Sequence, residues 1–99
     1  MRALHDPEEV ARFAAAVVRR HLPDLAFRVF LFGSRAMGTA RERSDIDIGI
    51  DGPTPVPRAA LAAIQDELDE APTLYTVEVV DFARVPESFR RVARQRVPL

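Results

Sequence analysis

One stretch constrains the fold more than any other: VFLFGSRAMGTARERSDIDIGI, residues 29–50. An apolar run, Val29-Phe30-Leu31-Phe32, ends abruptly in Gly33-Ser34; ten residues follow, and Asp45-Ile46-Asp47 opens a second, alternating run. The first run reads as a strand covered on both faces. Gly33 lets the chain turn sharply at its end, and a glycine turn that opens a helix presents backbone N–H groups suited to phosphate. Ser34 adds a hydroxyl beside them. On a strand, residues two apart share a face, so Asp45 and Asp47 project from one side and Ile46, Ile48 and Ile50 from the other. Carboxylates held together repel and raise each other's proton affinity. A divalent cation relieves that conflict, and hard oxygen donors choose Mg2+ or Mn2+, which also bridge nucleotide phosphates. A lone D-x-D is usually an acidic strand face, and a lone Gly-Ser a turn. The ordered combination of strand, Gly-Ser turn, short segment and acid-bearing strand points to a nucleotide site.

The flanking segments supply a frame. Asp6-Pro7-Glu8-Glu9 reads as a helix start, with an N-cap, a first-turn proline and acids that complement the dipole. Val10, Phe13, Ala14, Val17, Val18 and His21 recur at helical spacing, and Pro23 stops the helix. The first strand is expected over Phe27–Phe32. A short helix over Ser34–Ala40 follows, with Met37 as core filler. Arg35, directly after the turn, is within reach of a phosphate oxygen, with a solvated arginine as the alternative. Arg41, Glu42 and Arg43 form a charged loop, and Ser44 is placed to fix the acids through backbone hydrogen bonds. The second strand is expected over Asp45–Ile50, and Asp51-Gly52-Pro53 breaks it. A helix over Pro57–Ala71 buries Leu61, Ile64, Leu68 and Ala71. Its outer acids Asp66, Glu67, Asp69 and Glu70 oppose the dipole at its end, which calls for basic cover; the arginines of the last helix are the candidates.

Leu74–Phe82 reads as the third strand. Thr76, Glu78, Val80 and Phe82 share one face; Tyr75, Val77, Val79 and Asp81 share the other. Glu78, a charge between Val77 and Val79, is costly unless paired or metal-bound. Asp81 is its rival as a third acid, with a turn cap as the plainer role. Pro86-Glu87-Ser88 begins the last helix, which packs Phe89, Val92 and Ala93 and carries Arg90, Arg91, Arg94 and Arg96 as a basic side, read as solvent or partner surface.

Gly33-Ser34, Gly38, Ser44-Asp45 and Asp47 resemble the signature of the DNA polymerase beta-like nucleotidyltransferase superfamily, and the simplicity of the chain resembles its minimal branch (MNT), the members paired with HEPN-domain proteins. The resemblance implies an α/β (α+β) fold with a small mixed sheet packed with helices, the polymerase beta-like palm. It implies Asp45 and Asp47 as metal ligands and catalytic acids, and Glu78, by position, as the third; family members usually carry Asp there. It implies Gly33, Ser34, Arg35 and Ser44 around the nucleotide, Mg2+ or Mn2+ as cofactor and ATP as substrate. The implied activity is transfer of AMP to a hydroxyl of a HEPN toxin, an antitoxin function.

At 99 residues there is room for one small domain, residues 1–99, so the acceptor side is expected to be completed by a partner or a second copy of the chain. The formal net charge of −1 provides no basic field for a long nucleic acid. With no cysteine, thiolate chemistry and disulfides are excluded. The apolar runs are too short to span a bilayer, and the start is polar and then acidic, so a cytoplasmic protein is expected. Two rival functions fit the same residues: a binding module that neutralises its partner by contact alone, and an aminoglycoside-type small-molecule transferase, which would need an acceptor pocket.

Overall fold

A computed structural model of the protein describes residues 3–38, 45–93 and 95–99. Arg41, Glu42, Arg43 and Ser44, expected as a charged loop, lie outside the described residues, as does Arg94. In chain order the elements are α1 (Pro7–His21), β1 (Arg28–Phe32), α2 (Ser34–Met37), β2 (Ile46–Asp51), α3 (Arg58–Asp69), β3 (Val77–Asp81), α4 (Glu87–Val92) and β4 (Val97–Pro98). The four strands form one mixed sheet in the order β3-β2-β1-β4. β1 runs antiparallel to β2 and β4, and β2 runs parallel to β3. The parallel pair needs a crossover, which α3 supplies.

α1 starts where its sequence dictates. Asp6 accepts a hydrogen bond from the Glu8 amide at 2.9 Å, Pro7 occupies the first turn, and Arg19, Arg20 and His21 fill the last. Its buried stripe, Val10, Ala11, Ala14, Val17 and Val18, meets Ile46, Ile48 and Ile50 of β2 and Ile64 and Leu68 of α3 in the main core. The acidic end of α3 does receive basic cover, and among the described residues it comes from α1: Arg20 pairs with Glu67, and His21 Nε2 lies 2.7 Å from Glu67 Oε1. These two hydrogen bonds, His21 first, hold the Glu67 carboxyl below its ordinary value. Among the described residues no helix is long and apolar enough to cross a membrane.

The second face of the sheet carries a smaller, aromatic core. Phe82 packs edge-on against Phe30 and Phe32, with ring centres 4.9 and 5.0 Å apart, and Phe89 of α4 closes the group. β1 is thus covered on both sides, Val29 by the helices and Phe30 and Phe32 by these rings. Gly49 makes room for these rings: a Cβ there would collide with Phe30 and Phe82. The short strand β4 is absent from the sequence reading. The last helix ends at Val92, and Arg96 belongs to the segment that returns along β1. Its guanidinium stacks on Phe30 at 4.3 Å and Phe82 at 4.8 Å and pairs with Asp51 at 3.0 Å. Arg90 donates to the Phe82 carbonyl. Much of the expected basic surface is therefore internal fastening.

Candidate nucleotide and metal site

The site lies where β1 and β2 end side by side. Pairing places Phe32 opposite Asp47, so the turn after β1 closes directly onto that acid. Gly33 adopts φ 75° and ψ −154°, a region essentially restricted to glycine. A Cβ at Gly33 would collide with Asp47 Oδ2. Glycine is required here twice, by its dihedrals and by the carboxylate that occupies the space a side chain would need. The turn opens α2, which is closed by the Met37 amide on the Gly33 carbonyl at 3.1 Å and by the Gly38 amide on the Ser34 carbonyl. Gly38 ends it in the left-handed conformation, φ 73°.

Across the parallel pair, Asp47 is in register with Glu78. Registered residues share a face, and neighbouring strands are about 4.8 Å apart. The two carboxylates therefore project side by side on the aromatic face of the sheet, opposite to Ile46, Ile48 and Val77. Asp45 sits immediately before β2 and is exposed. The Asp47 carboxyl is raised above its ordinary value of 3.8, first by burial, then by the charge on Glu78, then by that on Asp45. Both neighbouring acids thus act on one group. Among the described residues no three His, Cys, Asp or Glu side chains are gathered into a closed cation cage. Asp45 and Glu78 are exposed and Asp47 is half-buried.

Asp81 has a different job. It is 4% exposed on the opposite face, where it accepts from the Val56 amide at 2.8 Å, the Ala83 amide at 3.0 Å and Arg84 at 2.8 Å. Both of its oxygens are engaged, fastening the turn after β3 and, through Val56, the segment before α3. Arg35 is turned toward the helix-covered side: its guanidinium lies 5.1 Å from the centre of the Tyr75 ring and borders a cavity of about 400 Å3 shared with Leu31, Ile46 and Arg12. Met37 is not core filler. It is 56% exposed and with Phe32, Gly33, Ser34 and Phe89 lines a cleft of about 350 Å3 beside the glycine turn. Ala36 fills the core in its place. The sequence reading also passed over Gly49, although a glycine inside a run of isoleucines is a signal of close approach, and over Gln65, which contacts β3.

A mixed sheet whose glycine turn abuts a carboxylate, with a second acid in register beside it, is the arrangement of a nucleotidyltransferase palm. Residues 21–97 match the family described as Polymerase beta, Nucleotidyltransferase, and the chain belongs to that family, whose members act on nucleoside triphosphates with a divalent metal. Within it, the chain is 30% identical over 88 residues to the probable protein adenylyltransferase MntA of Haemophilus influenzae, covering 89% of this chain and 75% of that protein. Among solved structures, the fold is similar to that of a toxin-antitoxin pair with AMP-PNP (TM-score 0.65, 23% identity, 89% of this chain and 70% of that one). It is also similar to that of a tri-AMPylated Shewanella oneidensis HEPN toxin in complex with MNT antitoxin (TM-score 0.64, 18% identity, 94% and 71%).

Proposed function

We propose that this protein transfers AMP from ATP to a hydroxyl of a partner HEPN toxin, in the cytoplasm, and so acts as an antitoxin. The observation that carries the reading is the contact between the Gly33 turn and the Asp47 carboxylate. It sets the turn read as the phosphate holder directly against the acid read as a metal ligand. The all-oxygen donor set of Asp45, Asp47 and Glu78 fits a hard divalent cation, and the raised proton affinity of Asp47 is the electrostatic strain such a cation relieves. Mg2+ or Mn2+, when bound, would neutralise charge on the phosphates and favour the in-line displacement.

The residues divide the work as follows. Gly33 and Ser34 hold the β- and γ-phosphates. Asp45 and Asp47 hold the metal side of the α-phosphate, and Ser44 steadies them. Arg35 serves the phosphates only by swinging off Tyr75. Glu78 faces the acceptor and takes the proton of its hydroxyl. The acceptor oxygen bonds to the α-phosphorus, the bond from that phosphorus to the bridging oxygen breaks, and pyrophosphate leaves. ATP as substrate and a HEPN toxin as acceptor are supported by the AMP-PNP-containing and AMPylated complexes of similar fold and by the MntA relative. The whole chain, 1–99, is read as one domain, with the partner or a second copy completing the acceptor side.

The test is pyrophosphate release from ATP with Mg2+ and the purified partner. Asp47→Asn should abolish it while leaving the complex intact on gel filtration. A second reading, neutralisation by contact alone, is favoured by the exposure of Glu78 and by its extra methylene relative to the Asp usual in the family. A stable complex with no pyrophosphate release from the wild-type protein would establish that reading instead.

A further inference from the structure

β3 is the edge strand of the sheet, yet its outer edge is not open at the point that matters. The side-chain amide of Gln65, on α3, donates from Nε2 to the Val77 carbonyl at 2.9 Å and accepts from the Val79 amide through Oε1 at 3.0 Å. A strand turns the N–H and C=O of alternate residues to the same edge. The two groups that Gln65 engages are therefore those immediately before and after Glu78, whose own backbone faces β2 in register with Asp47. A carboxamide presents one donor and one acceptor in a plane, so Gln65 substitutes for the missing neighbouring strand. Its own position is fixed. Ile64 and Leu68 on either side of it are buried in the main core, Glu67 is tied to Arg20 and His21 of α1, and Nε2 also donates to Asp69 at 2.9 Å.

We propose that Gln65 is the positioning residue of the third acid: by gripping the peptide groups on both sides of Glu78, it holds that carboxylate against Asp47 at the distance a shared divalent cation requires. The inference rests on the reading of Glu78 as a metal-binding acid. Asp47 needs no such device, since β2 is held by strands on both sides, whereas Glu78 stands on a strand paired on one side alone. An exposed glutamate on an ungripped edge would lose register with Asp47 whenever the edge frays. The same clamp also blocks the edge against pairing with another chain.

Three measurements test it. In the wild-type protein, hydrogen exchange should show the Val79 amide protected to the level of the central strand β2; exchange at the rate of an open edge would overturn the clamp outright. Mn2+ binding, followed by electron paramagnetic resonance without nucleotide, should weaken about ten-fold in Gln65→Met, which keeps the length and helix preference of the side chain but neither hydrogen bond. Turnover of the same variant with Mg2+ and ATP should fall by about ten- to one-hundred-fold in kcat with little change in the KM for ATP, because the phosphate turn is untouched. Gln65→Leu provides a second, independently packed replacement. Glu78→Gln separates the role of Glu78 from that of Gln65. If Glu78→Gln loses Mn2+ affinity and turnover while both Gln65 variants match the wild type, Glu78 is the third acid and Gln65 does not position it. If Glu78→Gln itself binds and turns over as the wild type does, the assignment of Glu78 fails, and the role of Gln65 fails with it.

Discussion

Gly33→Ala tests the geometry of the site at its tightest point. Two costs can be worked out. The backbone at φ 75° and ψ −154° is one that a residue with a Cβ avoids, at a cost of about 2 kcal/mol. The new methyl would also collide with Asp47 Oδ2, so either the turn or the carboxylate must move by about 1 Å, a displacement that costs about 100-fold in rate. Gly38→Ala is the matched control. Its φ of 73° is also positive, in the left-handed region, at about 1–2 kcal/mol, but nothing lies within 4 Å of the added Cβ. Urea denaturation should therefore show both variants destabilised, Gly33→Ala the more. Initial rates of pyrophosphate release should fall about 100-fold for Gly33→Ala and remain near wild type for Gly38→Ala. Equal rates in the two variants would refute the contact between turn and acid as the organising feature of the site.

Three further outcomes follow from the same contacts. The Asp47 carboxyl is raised from 3.8 by burial and by its acidic neighbours, so the native state holds that proton more tightly than the unfolded chain does. Its contribution to stability is present below pH 3.8 and is lost as pH rises through the folded value. Asp47→Asn should accordingly raise Tm at neutral pH, with the gain disappearing in acid, as thermal melts across that range would show. Asp81→Ala removes a buried acid from Arg84 and two backbone amides and should cost about 3 kcal/mol in chemical denaturation, while the Mn2+ affinity of the folded protein stays at the wild-type level. Arg96→Ala gives up two ring stacks and the pair to Asp51, about 1–2 kcal/mol by urea titration, and should loosen the return of the C-terminal segment onto β1.

The parts of the fold legible in the sequence were those set by periodicity and punctuation. Asp6-Pro7 starts α1, the apolar run before Gly33 makes β1, and the alternation after Asp45 makes β2 with Asp47 facing away from the isoleucines. Glu78 could be placed on the same face as Val80 and Phe82 by counting alone, and the structure puts it in register with Asp47. What could not be read depends on distant partners. β4 is two residues long, too short for any pattern, and lies along β1 next to Arg96, which stacks on the Phe30 and Phe82 rings. The acidic end of α3 looked as though it needed the arginines of the last helix, but helix packing gives it those of α1. Asp81 and Glu78 are both acids in one strand, and only the three-dimensional partners of Asp81 show that its role is to hold a loop. Gln65 was silent because a glutamine on an amphipathic helix has no sequence mark that distinguishes a solvated amide from one that replaces a strand.

The central claim is that the α-phosphate of a nucleoside triphosphate is delivered to a protein hydroxyl from the acids beside the Gly33 turn. Incubating the protein and its purified HEPN partner with Mg2+ and ATP labelled either at the α- or at the γ-phosphate measures that directly. The account predicts covalent label on the partner from α-labelled ATP alone, absent with Asp47→Asn. Label from the γ-position, or a partner neutralised with no label from either, would contradict it.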